Sequence, residues 1–185
     1  MRTLHVFNQI SIDGFFSDTL GDMSFAHKED VEWTRFSAEN AKAGGMLLFG
    51  RKTYDLMVKF WPTPAALQQA PDVAEGMNTM PKIVFSHTLD KPPWNNTKVM
   101  KGDIVAAVRE LKQSPGPNMV IMGSGTIVSQ LAQAQLVDEF MMVVNPIVLG
   151  AGKTMFETVK ERISLKPIST RTFGNGNVLL HYAPA

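Results

Sequence analysis

Met119-Val120-Ile121-Met122-Gly123-Ser124-Gly125-Thr126-Ile127-Val128-Ser129-Gln130-Leu131 reads as strand, glycine turn and helix. A short, wholly apolar run fits a strand covered on both faces. The glycines permit a sharp turn and a close approach by a ligand. Beyond them Ile127, Val128, Leu131 and Ala134 recur at helical spacing. Ser124 or Thr126 stands where it can cap that helix. Such a junction aims free backbone N–H groups and a positive helix end at one spot, which suits a phosphate-bearing cofactor. Read alone, it equally suits an ordinary βα turn.

The same grammar recurs upstream. Met46-Leu47-Leu48-Phe49 runs into Gly50-Arg51-Lys52-Thr53-Tyr54, which opens a helix reaching about Phe60, and Lys82-Ile83-Val84-Phe85 ends in Ser86-His87-Thr88. Parallel strands of one sheet bring their carboxyl ends to one edge. There Arg51 offers a bidentate phosphate contact, Thr53 and Ser86 offer hydroxyls, and the glycines offer N–H groups. Together they describe a groove for a ligand with more than one phosphate, such as a dinucleotide.

The remaining segments extend this pattern. Residues 2–10 are rich in strand formers, and Asp13-Gly14 then marks a turn. Residues 28–43 read as a helix closed by Gly44-Gly45. Residues 62–81 hold four of the eleven prolines and read as a long surface loop. Lys98-Val99-Met100 is a short strand, and Asp103 caps a helix faced by Ile104, Val105, Val108 and Leu111. Residues 137–144 are strand-like, Leu149-Gly150-Ala151-Gly152-Lys153 is a glycine loop, and residues 163–172 and 176–183 form a terminal hairpin. The order predicts one domain, 1–185, built as an α/β sheet with helices on both faces and an antiparallel edge.

Composition excludes several classes. The chain has 185 residues, 44% hydrophobic and 19% charged, with a net charge of +1, which describes a folded domain without a footprint for nucleic acid. No apolar run reaches membrane-spanning length and the polar N-terminus lacks a signal peptide, so a cytoplasmic protein is expected. There are no cysteines, and the four histidines never pair at metal-ligand spacing, so no metal is expected. Gly150-Ala151-Gly152-Lys153-Thr154 imitates a P-loop, but the spacing requires Gly at position 147, which is Ile147. No Gly-x-Ser-x-Gly elbow is present.

Five motifs, in order, carry a resemblance. They are Ser11-Ile12-Asp13-Gly14-Phe15, Gly50-Arg51-Lys52-Thr53-Tyr54, Ile83-Val84-Phe85-Ser86, Met122-Gly123-Ser124-Gly125, and Val137-Asp138-Glu139-Phe140 through the 149–153 loop. The chain resembles the dihydrofolate-reductase-like superfamily. Within it, the chain is similar to stand-alone relatives of the C-terminal reductase domain of the bifunctional riboflavin-biosynthesis deaminase-reductase (RibD). The resemblance implies a three-layer αβα fold with a mixed, mostly parallel sheet, NADPH as hydride donor, and a homodimer through the C-terminal strands. It implies that Gly50, Arg51, Lys52 and Thr53 hold the adenosine phosphate and pyrophosphate, and that Ser86 meets the 2′-phosphate. Gly123, Ser124, Gly125, Thr126 and Ile127 fall at the pyrophosphate and nicotinamide side.

On the substrate side, Asp13 falls in the family's signature loop beside the nicotinamide, as a candidate substrate contact, with water or Asp13 as the source of the proton. Its other reading is capping its own turn. Asp30 lies on the helix that carries the folate reductases' pteridine-binding acid, its other reading being a solvated helix-start acid. Phe15, Phe16 and Trp61 are candidate walls for a ring. The implied reaction is hydride transfer to a small pyrimidine- or pterin-like heterocycle, with 5-amino-6-(5-phosphoribosylamino)uracil reduction in riboflavin biosynthesis as the reference case. Met122 stands where the riboflavin-pathway pattern carries an acidic residue, a departure that points away from that substrate. The alternative is a non-catalytic NADP-binding or sensing protein that keeps the fold.

Overall fold

A computed structural model describes residues 1–26 and 29–185, so the predicted helix start at residue 28 lies outside the described residues. The chain runs β1 (Leu4–Ser11), β2 (Phe15–Ser17), α1 (Val31–Ala43), β3 (Met46–Gly50) and α2 (Arg51–Val58). It continues through α3 (Pro64–Gln69), α4 (Pro71–Thr79), β4 (Lys82–Phe85), β5 (Thr97–Met100) and α5 (Ile104–Gln113). Then follow β6 (Met119–Ile121), α6 (Gly125–Gln133), β7 (Glu139–Asn145), β8 (Lys153–Thr154), β9 (Leu165–Thr172) and β10 (Val178–Pro184).

One sheet has the order β5-β4-β3-β6-β1-β7-β10-β9. The first six strands are parallel, and β10 and β9 are antiparallel additions at one side. β2 and β8 form a separate antiparallel ribbon.

Strand residues alternate between the two sheet faces. Leu4, Val6, Leu48, Met119 and Ile121 pack with Val108 of α5 and Val128 and Leu131 of α6. Leu47, Phe49 and Val84 pack on the other face with Tyr54 of α2, Met77 of α4 and Trp94. Further along that second face, Phe7, Val143 and Leu179 meet Trp33 and Phe36 of α1 and Phe173. The middle layer is thus apolar on both sides, as a parallel sheet requires.

The expected proline-rich loop at 62–81 is corrected: it contains α3 and α4, each with proline in its first turn. Proline there gives up no helical hydrogen bond and presets the backbone, so it starts helices as readily as it ends them. Thr63 caps α3 by accepting from Ala66 N at 3.3 Å. α4 packs so tightly on α1 that a Cβ at Gly76 would lie 2.9 Å from the Ala41 carbonyl oxygen.

Buried cations secure the amino-end edge of the sheet. Lys82 Nζ donates to the carbonyls of Met80 (2.7 Å), Asn78 (3.2 Å) and Asn95 (3.3 Å) and lies 4.5 Å from the Trp94 ring centre. Burial lowers its pKa to about 8. Lys112 donates to Asp138, whose Oδ2 also accepts from Leu4 N at 2.7 Å, tying α5 to the starts of β1 and β7.

Candidate functional site

β3 and β6 are neighbours in the sheet, yet the chain leaves them in opposite directions. β3 leads through α2 towards β4, and β6 leads through α6 towards β7. Their carboxyl ends therefore open a crevice where the order of connections reverses, the usual ligand position in such sheets. α2 and α6 both start there, on opposite faces, and neither has a capping side chain. Helix starts without a side-chain cap suit an anion, and at α6 the third amide, Ile127 N, is already taken by the Ser124 carbonyl at 2.8 Å.

The expected cap at Ser124 is corrected. Ser124 occupies the N-cap position in a left-handed conformation (φ 60°, ψ 60°), but its hydroxyl turns away from α6. It accepts from Gly50 N at 2.7 Å and donates to Thr53 Oγ1 at 2.8 Å. The two glycine junctions are thereby hydrogen-bonded to each other.

The glycines serve that closeness. A Cβ at Gly50 would lie 2.7 Å from Ser124 Oγ and 3.0 Å from Ile127 Cδ1, and one at Gly123 would lie 2.8 Å from Thr53 Cγ2. A Cβ at Gly125 would lie 2.8 Å from the Thr154 carbonyl oxygen and 3.1 Å from the Phe16 ring. Ile127 is buried in the α6-side core, while Thr126 is exposed at the helix start. The sequence reading assigned these glycines to ligand approach. In the structure their missing side chains make room for other parts of the protein.

Arg51 leads α2, with its Nε 2.8 Å from both Asp55 carboxylate oxygens and Nη1 3.5 Å from Thr88 Oγ1. Ser86 is buried, and its hydroxyl accepts from the backbone N–H groups of Thr88 (3.3 Å) and Leu89 (3.1 Å). Arg51 and the Ser86–Thr88 turn thus meet across β3 and β4, and Lys52 is exposed beside them.

The substrate-side residues divide. Asp13 does not stand free as a proton donor. Its carboxylate accepts from Gly150 N at 2.7 Å and Leu149 N at 3.1 Å, pinning the glycine loop to the end of β1. A Ser11 hydrogen bond, followed by these backbone bonds, holds its pKa below the usual carboxylate value. Phe15 lies in the β2–β8 ribbon, opposite Thr154.

Asp30 caps α1, accepting from Trp33 N at 2.8 Å, close to Gly174 in the β9–β10 turn. Trp61 is corrected as a wall of the site. Its carbonyl accepts from Asn78, whose own carbonyl accepts from Lys82 at the start of β4. This places Trp61 at the amino-end edge, because α2 carries the chain away from Gly50.

Asn8 was missed by sequence reasoning. It continues the inward series Leu4 and Val6, is 4% exposed, and accepts from Gly123 N. An amide at an inward strand position was the available signal. Its Nδ2 has no partner. The two uncapped helix starts, the cation at Arg51 and this amide form a donor set suited to a dinucleotide with several phosphates.

This architecture is the dihydrofolate-reductase-like fold. The chain aligns with dihydrofolate reductase from Enterococcus faecalis complexed with NADP(H) and RAB-propyl at a TM-score of 0.66 and 15% identity, covering 98% of this chain and 96% of that one. A putative riboflavin biosynthesis protein from Shewanella sp. PV-4 gives a TM-score of 0.76 at 21% identity, covering 99% of each chain. The chain belongs to the RibD C-terminal domain family, which matches residues 2–179. It is also 30% identical over 174 residues to the uncharacterized protein YyaP of Bacillus subtilis strain 168, covering 94% of this chain and 90% of that protein. These findings define a domain of the RibD C-terminal family with the dihydrofolate-reductase-like fold. Among the described residues no helix is long and apolar enough to cross a membrane.

Proposed function

We propose that this protein is an NADPH-dependent oxidoreductase acting on a small pyrimidine- or pterin-like heterocycle. The observation that carries the reading is the pair of uncapped helix starts bound together through Gly50, Ser124 and Thr53 at the crevice. The amides at the starts of α2 and α6 would bind pyrophosphate, and Arg51, with Lys52 and the Ser86–Thr88 turn, would meet the 2′-phosphate. Asn8 Nδ2 would face the nicotinamide end. NADPH, when bound, supplies the hydride. The protein's part is to orient two rings and keep water from between them. Asp13 would act by ordering the 149–150 loop, leaving water or the substrate as the proton source. A homodimer is proposed through the C-terminal strands, since all eight residues of edge strand β9 are exposed.

Thermal shift with NADPH and NADH tests the cofactor. Arg51→Ala should weaken NADPH by about 1–3 kcal/mol and leave NADH nearly unchanged. Asp55→Asn should strengthen NADPH by freeing the guanidinium. Equal loss for both cofactors removes Arg51 from the 2′-phosphate, and no stabilisation by either overturns the reading. A second reading, an NADP-binding protein without catalysis, is favoured by the engagement of Asp13 with backbone amides. NADPH oxidation with a panel of pyrimidines and pterins separates the two.

A further inference from the structure

Among the described residues, the buried side-chain polar atoms without a hydrogen-bond partner are Thr3 Oγ1, Asn8 Nδ2, Gln9 Oε1, Asn145 Oδ1, and Asn177 Nδ2 and Oδ1. All but Thr3 lie at one place, the carboxyl ends of β1 and β7 and the adjoining start of β10. Unpaired buried amides are costly and scarce in folded proteins. Their concentration at the edge that also holds the crevice points to a polar ligand.

Register and alternation divide these amides between the two faces. Ser11 pairs with Asn145, and one step beyond the Val144–Val178 pair sets Asn177 opposite Asn145. Phe7, Val143 and Leu179 face α1, so Gln9, Asn145 and Asn177, each two residues along, face α1 as well. Asn8 lies on the opposite face, towards Gly123. The aromatic group of Phe7, Trp33, Phe36 and Phe173 borders the α1-facing set.

Donor and acceptor roles are partly fixed. Asn145 Nδ2 donates to the Ile10 carbonyl at 3.2 Å and the Val143 carbonyl at 3.3 Å. Reversing that amide would set oxygen against two carbonyl oxygens, so Oδ1 is held as a lone acceptor. The Asn177 carboxamide has both a donor and an acceptor unused.

We propose that Asn145 and Asn177, with Gln9 beside them, recognise the lactam edge of an uncharged ring. The Asn177 carboxamide would pair with an adjoining ring C=O and N–H, and Asn145 Oδ1 would accept a neighbouring N–H. The choice of ring rests on the reductase reading; the amide pattern does not. Both asparagines are fully buried, and the adjoining turn Phe173–Gly176 touches Asp30 through Gly174 and Pro146 through Gly176. For a ring to reach the amides, that turn would have to move aside.

The test compares ligands on the unaltered protein loaded with NADPH. Calorimetry would measure pterin against N3-methylpterin, and 6-aminouracil against its N1,N3-dimethyl form, each of which lacks a lactam N–H. At least one parent ring should bind, and its methylated form should bind at least tenfold more weakly. Asn145→Leu and Asn177→Leu should each abolish that preference while retaining the NADPH thermal shift. Equal affinity for parent and methylated rings, or failure of both parents to bind beside bound NADPH, overturns the amide assignment and leaves the cofactor reading standing. Loss of NADPH stabilisation in the unaltered protein refutes the reductase reading instead.

Discussion

Ser124 offers the sharpest test of how the crevice is held together. Its hydroxyl accepts from Gly50 N and donates to Thr53 Oγ1, while its backbone sits in the left-handed region. Ser124→Ala keeps the strained conformation and removes the hydroxyl, leaving a part-buried N–H unpaired at a cost of about 1–3 kcal/mol. Ser124→Gly loses the same hydroxyl but relieves about 1 kcal/mol of left-handed strain. The order of stability should therefore be Ser124, then Gly, then Ala.

For a chain of this size each kcal/mol moves the melting temperature by roughly 2–4 °C, so Ala should fall by about 2–12 °C and Gly by less. Urea unfolding gives the free energies, and NADPH titration of the same variants reads the crevice. Thr53→Val combined with Ser124→Ala should lose less than the sum of the two single losses, because they share one hydrogen bond. Full stability in Ser124→Ala, or Ser124→Gly falling below Ser124→Ala, would refute the argument.

Three further outcomes follow from the buried and pinned groups. The folded state holds the Lys82 proton less tightly, at about 8, than the unfolded chain does at 10.5. More protons are then bound in the unfolded state across that window, so this contribution to stability rises as pH climbs from about 8 and levels off above 10.5. Relative to Lys82→Met, the wild type should gain about 1.5 kcal/mol between pH 8 and about 9.5 in paired urea titrations; parallel curves would exclude a depressed pKa. Asp138→Ala should cost about 3 kcal/mol, because it strands the Lys112 ammonium and the Leu4 N–H, and Lys112→Met added to it should recover part of the loss in thermal melts. Asp13→Asn should accelerate hydrogen exchange at Leu149 and Gly150, and unchanged protection there would show that the carboxylate does not order the loop.

Met46–Phe49, Ile83–Phe85 and Met119–Ile121 were legible as parts of buried strands because a strand covered on both faces is apolar at successive positions. The helix starts after Gly50 and Ser124 were legible because glycine turns and apolar periodicity are local signals. Local signals failed at 62–81, where proline reads alike as the end of one helix and the beginning of the next. They also failed at Trp61, whose aromatic character says nothing about which sheet edge it occupies.

The sequence by itself determined the alternating α/β order, the terminal hairpin and the three strand ends that share an edge, since each depends on residues close together in the chain. Only the tertiary structure decided what those ends do to one another. Ser124 reaches Gly50 and Thr53 rather than its own helix. Asp13 is consumed by the 149–150 loop, and Asn8, Asn145 and Asn177 come to one edge from distant segments. Hydrogen-bond partners far apart in the chain leave no periodic trace in it; strand register and packing alone bring them within reach.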